Sequence, residues 1–186
     1  MIPLALNPDL TRIGLAGAGV PALRRLAALR AAGAEPVIFA ADAALAAEPG
    51  VLPFPPDATA LAGLHVLYIA GLEAALYVPL AEAARESKKL VNVEDVPEFC
   101  DFHAVAEIRR GDLLLTVSTG GASPGLAGVI RRALEACFAP EWAGRVEEIA
   151  ALRRGWRAEG VPMAEAAKRI SAVVQERCWL SCPKAE

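Results

Sequence analysis

Thr11-Arg12-Ile13-Gly14-Leu15-Ala16-Gly17-Ala18-Gly19-Val20-Pro21-Ala22 is the stretch that decides the fold of this 186-residue chain. Thr11 to Ala16 is an apolar run of buried-strand character, and Leu23 to Ala32 reads as a helix. Between them stands G-x-G-x-x-A. The first glycine, Gly17, permits a tight turn, and the second, Gly19, lets a pyrophosphate approach the backbone. The small third residue, Ala22, lets helix and strand pack closely. The helix N-terminus offers N–H groups to phosphates. Pro21 falls in the first turn, where its missing N–H is no loss. A glycine-rich turn without a ligand is the alternative reading of the same residues.

Outward from this turn the chain alternates. Gly33 ends the helix, and Pro36 to Ala40 is a second strand closing on Ala41-Asp42. An acidic residue at that strand end suits an adenosine ribose, and hence NAD rather than NADP. Asp42 lies slightly late for this, and capping a helix that starts near Ala43 is an equal alternative. Glu48 to Thr59 is a proline-rich loop with a brief extended piece at Val51–Phe54. Val66 to Ala70 is a third strand, Gly71-Leu72-Glu73 a turn, Tyr77 to Ser87 a helix, and Leu90 to Val93 a fourth strand. Alternation of this kind predicts an α/β fold with a parallel sheet and right-handed crossovers.

Two strand ends carry the chemistry. The first is Val91-Asn92-Val93-Glu94-Asp95-Val96-Pro97 with Cys100-Asp101-Phe102; the second is Val117-Ser118-Thr119-Gly120-Gly121-Ala122-Ser123-Pro124. Side chains at such ends leave the ladder and face a crevice. A carboxylate at Asp95 is placed to act as a general base, or to bond nearby backbone N–H groups. Asn92 orients backbone at the strand end. The Ser118–Ser123 turn ahead of a helix suits an anion, with Ser123 as N-cap at the same time. Between and beyond these blocks come a strand at His103–Ile108, a turn at Arg109–Asp112 and a strand at Leu113–Val117. Helices follow at Pro124–Phe138, Pro140–Trp156 and Pro162–Trp179. The helical tail is suited to dimerisation or to covering a site.

Composition excludes several classes. With 55% hydrophobic and 22% charged residues this is an ordinary folded chain, and a net charge of −3 leaves no footprint for nucleic acid. The most apolar window, Leu64 to Ala81, holds His65, Gly71, Glu73 and Pro79. A glutamate at mid-membrane depth costs roughly 2–3 kcal/mol, so this window is a strand and helix rather than a span. Met1-Ile2-Pro3-Leu4 has no basic region followed by an apolar run, so a cytoplasmic chain with reduced cysteines is expected. Cys178 and Cys182 are spaced C-x-x-x-C, which suits a metal or a disulfide, but no further ligand pair accompanies them, and no metal site is assigned.

Taken together, Gly17-Ala18-Gly19, the N-V-x-D block with Cys100-Asp101-Phe102, Arg110-Gly111-Asp112-Leu113, and Ser118-Thr119-Gly120-Gly121-Ala122-Ser123-Pro124-Gly125-Leu126-Ala127 resemble the precorrin-2 dehydrogenase / sirohydrochlorin ferrochelatase family, the N-terminal part of siroheme synthase. The resemblance covers nearly the whole chain and is weakest in the tail. It implies a Rossmann-like parallel sheet with helices on both faces over residues 1–112, a dimerisation region over 113–139 and a small helical domain over 140–186. It implies NAD as cofactor, precorrin-2 as substrate, a homodimer, and in some members ferrous iron as a second substrate. The family's catalytic aspartate matches Asp95. Its cofactor contacts match Val20, Pro21, Ala41 and Asp42, beside Gly17 and Gly19 of the glycine turn read above, and its substrate site matches Thr119, with Asn92, Ser118, Gly120 and Ser123 of the same two blocks as further substrate-side candidates. Besides the dehydrogenase alone, a bifunctional dehydrogenase–ferrochelatase and a non-catalytic binding protein on the same scaffold stay open. The chain departs from the family at Gly71-Leu72-Glu73, where an Ala-Thr followed by Asp or Asn is usual, and at His103 and Val105.

Overall fold

The computed structural model describes residues 2–180, which fall into two compact units meeting between Ala104 and Val105. In the first unit, β1 (Ile13–Gly17), β2 (Val37–Ala40), β3 (Val66–Ala70) and β4 (Leu90–Val93) form one parallel sheet in the order β2-β1-β3-β4. Strand β1 is buried along its whole length, as a central parallel strand covered on both faces must be. The faces separate by the period of two. Leu15, Ile38 and Ala70 pack with Leu26 and Leu29 of helix α1 (Gly19–Ala31). Ala16, Phe39, Leu67, Ile69, Val91 and Val93 pack with Leu80, Ala81 and Ala84 of helix α4 (Ala74–Glu86). Strand order reverses between β1 and β3, and crevices for ligands lie at the carboxyl ends of strands at such a switch point.

Strands β3 and β4 coincide with the runs read from the sequence. Helix α4 starts earlier than Tyr77, because the Glu73 carbonyl accepts from the N–H groups of Leu76 and Tyr77 at 2.9 and 3.0 Å. The proline-rich loop holds two short helices at its borders. One is α2 (Ala43–Ala46); the other is α3 (Ala58–Ala62), capped by Asp57, whose Oδ1 accepts from the Ala60 N–H at 2.7 Å. Leu52 bridges to Phe39, the extended piece expected there.

The second unit opens with an antiparallel hairpin, β5 (Ala106–Arg110) and β6 (Leu113–Val117), then α5 (Pro124–Cys137), α6 (Trp142–Ala158) and α7 (Met163–Glu176). Arg109 and Arg110 belong to β5 rather than to the turn. Gly111, at φ +56°, makes the two-residue connection with Asp112. A boundary at 112/113 would divide two strands that pair along five residues each, so the first unit ends before β5 instead. Cys182 lies outside the described residues.

Candidate active site

The glycine turn is built by close packing. A Cβ on Gly17 would stand 2.3 Å from the Ala70 carbonyl oxygen and 2.8 Å from the Ala22 Cβ. Gly17 and the fully buried Ala22 are therefore fixed by the approach of β1, β3 and α1. Gly19 differs. It has φ +62°, and a Cβ there would meet nothing closer than Pro21 at 3.7 Å, so the backbone lies open to a ligand. The N-cap residue of α1, Ala18, makes no side-chain cap, and the first turn of the helix holds no acidic residue. The first-turn N–H groups beyond Gly19 are thereby left for a pyrophosphate. Beside it, Val20 is 74% exposed.

Asp42 serves two ends at once. Its Oδ1 caps α2 through the Leu45 N–H at 3.0 Å, and its Oδ2 accepts from the Gly19 N–H at 2.7 Å. The carboxylate thus ties the end of β2 to the glycine turn, and Ala41 joins through its N–H to the Gly17 carbonyl at 2.9 Å. On the other side, the Ala18 N–H donates to the Ala70 carbonyl at 3.1 Å. The departure at Gly71 has a steric reason. Gly71 sits at φ +69°, and a Cβ would fall 2.1 Å from the Ala18 carbonyl oxygen. The wall opposite the glycine turn requires a glycine here.

At the end of β4, Asp95 is exposed and holds φ +63°, a left-handed conformation that non-glycine residues seldom adopt. Its neighbours fix the turn. The Glu94 N–H donates to the Ile69 carbonyl at 2.9 Å, and the Val96 N–H to the Val93 carbonyl at 3.2 Å. Cys100 Sγ donates to the carbonyls of Val93 at 3.1 Å and Val96 at 3.4 Å. Asn92 is 5% exposed, and its Nδ2 donates to the Phe102 carbonyl at 2.8 Å and to Cys100 Sγ at 3.4 Å. Asp101 Oδ2 accepts from the Val91 N–H at 2.9 Å, while Arg85 Nε donates to its Oδ1 at 3.1 Å. The spacing of Asn92, Cys100, Asp101 and Phe102 thus makes a frame for the Asp95 turn. Burial pushes the Cys100 thiol up from its ordinary 9.0, and the bond to Val93 opposes that rise.

In the second unit the Ser118–Ser123 turn is bonded to itself. Thr119 Oγ1 donates to the Ser123 carbonyl and accepts from the Ser123 N–H, both at 3.0 Å. Ser118 Oγ accepts from the Gly120 N–H at 3.2 Å, and Ser123 Oγ caps α5 through the Leu126 N–H at 3.2 Å. Gly120 and Gly121 hold φ +67° and +86°. His65 Nδ1 accepts from the Arg12 N–H at 2.9 Å, at the opposite end of β3 from Gly71. Among the described residues no three His, Cys, Asp or Glu side chains gather as metal ligands, and no helix is long and apolar enough to cross a membrane.

Residues 4–106, more than half of the chain, match a family model described as "Putative NAD(P)-binding". The chain belongs to this NAD(P)-binding family. It is 34% identical over 163 residues to a siroheme synthase of Methylococcus capsulatus, covering 84% of this chain and 34% of that protein. It is 38% identical over 96 residues to the siroheme biosynthesis protein met8 of Schizosaccharomyces pombe, covering 51% of this chain and 36% of that one. The chain spans about a third of the length of these curated relatives. They are the relatives to which the N-V-x-D and S-T-G-G-x-S-P blocks point. Among solved structures, the precorrin-2 dehydrogenase SirC has the same fold, with TM-score 0.74 at 19% identity over 97% of this chain and 93% of that one.

For a member of the NAD(P)-binding family, a side chain at Gly71 should disturb the cofactor turn. Gly71→Ala is expected to lose about 1–3 kcal/mol in urea unfolding, from backbone strain together with the clash, and to weaken NAD in a calorimetric titration. Cys100 predicts a pH dependence. Its folded pKa lies above the unfolded value of 9.0, so its contribution is complete below pH 9.0 and is lost as pH rises through the folded value. Cys100→Ser keeps a donor and does not titrate there. Its melting temperature should fall less steeply than the parent's above pH 9.0, and parallel curves would refute this.

Proposed function

We propose that this chain catalyses the NAD-dependent oxidation of precorrin-2 to sirohydrochlorin, in the cytoplasm, as a step of siroheme formation. One observation carries the reading. The carboxyl edge of a single parallel sheet presents an open glycine turn after β1 and, two strands away in the order β1-β3-β4, an exposed carboxylate at Asp95. The siroheme-pathway relatives supply the substrate, since fold alone does not choose among dehydrogenases.

Bound NAD would supply the acceptor for the hydride leaving the tetrapyrrole. The protein's tasks are then orientation and proton transfer. The first-turn N–H groups of α1 face the pyrophosphate, and Asp42 keeps Gly19 in its left-handed turn by holding its N–H. Asp95 takes the proton that leaves a neighbouring atom of the conjugated system, not the carbon that gives up the hydride, so that a new double bond forms. Its carboxylate is exposed and reaches a large ligand without rearrangement. Asn92 acts through the turn that carries Asp95. In the second unit, taken by itself, Thr119 shapes its loop, and Ser118, Gly120 and Ser123 offer polar groups ahead of α5 that suit a carboxylate.

The reading includes a homodimer. Among the described residues of the second unit, Ile108 and Ala127 are the buried hydrophobic side chains, while Leu126, Val129 and Ile130 stand exposed at 51%, 53% and 38% in one stripe of α5. A unit of this size needs more apolar burial than that to stand alone, and a second copy supplies it. Light scattering after gel filtration should give a dimer, and Val129→Glu should shift it toward monomer; a parent chain that runs as a monomer would refute the assembly.

Turnover is tested with purified chain, NAD and precorrin-2, following the absorbance of sirohydrochlorin. Asp95→Asn should lower the rate by roughly 10²–10⁴-fold, the usual worth of a general base, with its melting temperature close to the parent's. An unchanged rate would remove Asp95 from the mechanism.

A further inference from the structure

Glu94, the residue before Asp95, is 12% exposed and is engaged by two arginines of α1. Arg24 Nη2 lies 2.9 Å from Glu94 Oε1, and Arg25 Nη2 lies 3.6 Å from the same oxygen. Glu94 Oε2 and Arg25 Nε are both buried and make no hydrogen bond among the described residues. The Arg25 guanidinium also stacks on Tyr68 at 5.2 Å, and Tyr68 meets Phe102 edge to face at 5.2 Å. One carboxylate oxygen therefore serves two cations while its twin is left over. An ion pair shaped for stability would use both oxygens in a fork. Buried ion pairs are poor stabilisers in any case, and their best-attested use is to fix register.

What this pair registers is specific. Helix α1 begins at the cofactor turn, and Glu94 shares a peptide bond with the exposed Asp95. The Glu94 main chain is already anchored to β3 through the Ile69 carbonyl. Among the described residues, its side chain adds the direct ionic link from this strand end to α1. We propose that Glu94 is a positioning residue: through Arg24 and Arg25 it sets the Asp95 carboxylate relative to the helix that opens on the cofactor turn. The proposal rests on the reading of Asp95 as the base. It follows that weakening the link leaves the glycine turn able to bind NAD and degrades the alignment of the base. A misplacement of about 1 Å costs on the order of a hundredfold in rate, so a partial loosening should cost roughly tenfold.

The test uses Glu94→Gln and, since Arg24 is mostly exposed and its loss is harmless to folding, Arg24→Gln. Both should keep the parent's NAD dissociation constant in calorimetric titration within about twofold; Arg24→Gln should keep its melting temperature, whereas Glu94→Gln, which leaves Arg25 without its counter-charge, should lower it and is assayed well below its own midpoint. Both should lower kcat, Glu94→Gln by roughly tenfold. Independent of turnover, hydrogen exchange at the Val96 amide, which closes the Asp95 turn, should speed up in Glu94→Gln. Glu94→Gln combined with Asp95→Asn should be no slower than Asp95→Asn alone, because the two act through one carboxylate. Parent kcat and parent Val96 exchange in Glu94→Gln would overturn the proposal, as would additive losses. Asp95→Asn run alongside separates the failures. A parent rate there removes the base and the proposal with it, whereas a low rate there beside normal Glu94→Gln removes only the positioning role.

Discussion

A non-glycine residue held at φ +63° at the end of a parallel strand has to be kept there by its surroundings, and around Asp95 those surroundings are explicit. Left-handed backbone costs an ordinary residue about 1–3 kcal/mol. The cost is met by a frame in which almost every polar group has a partner. Asn92 is buried, and its Nδ2 donates to both Cys100 and Phe102. Cys100 passes its proton toward Val93 and Val96 on either side of the turn. Asp101 holds the Val91 backbone and is itself held by Arg85. The result is an exposed carboxylate on a turn that has few ways to relax. That arrangement suits a base that must meet a large ligand without first reorganising.

The glycine turn obeys the same logic with different means. Its glycines are not interchangeable. Gly17 and Gly71 are required by backbone of neighbouring strands, at 2.3 and 2.1 Å from where a Cβ would stand, and Gly19 by its φ alone. Only at Gly19 does the missing side chain leave room outward. Asp42 then fixes the one N–H of that turn that it can reach.

How much of this was legible in the sequence follows from range. The glycine turn, β3, β4 and the strand-to-helix passage at Ser123-Pro124 are local signals, and local chemistry decides them. The role of Asp42 looked like a choice between ribose and helix cap, and the cap is present, while its bond to Gly19 spans 23 residues and no local pattern announces it. Glu94 passed unnoticed beside Asp95 because its partners sit 70 residues back on another element. An arginine pair on a short helix gives no hint of which carboxylate it meets. The hairpin boundary was misplaced for a related reason. Arg109-Arg110-Gly111-Asp112 reads as a polar turn, yet pairing with Leu113 and Leu114 draws both arginines into the strand. The departure at Gly71 stood out in the sequence, but its cause, the Ala18 carbonyl, required the packing of β1 on β3 to be known.

Two adjacent carboxylates stand at one strand end, and the fold gives them opposite surroundings. Glu94 turns inward to Arg24 and Arg25, whereas Asp95, turned by its left-handed backbone, faces solvent. Charge at Glu94 is balanced by cations within 4 Å, so its field at Asp95 is reduced, and water screens the rest. The arginines that tie this strand end to α1 thus also balance the charge of the inner carboxylate, while the outer one is left to solvent. Anchorage and charge balance at this strand end depend on the same two side chains.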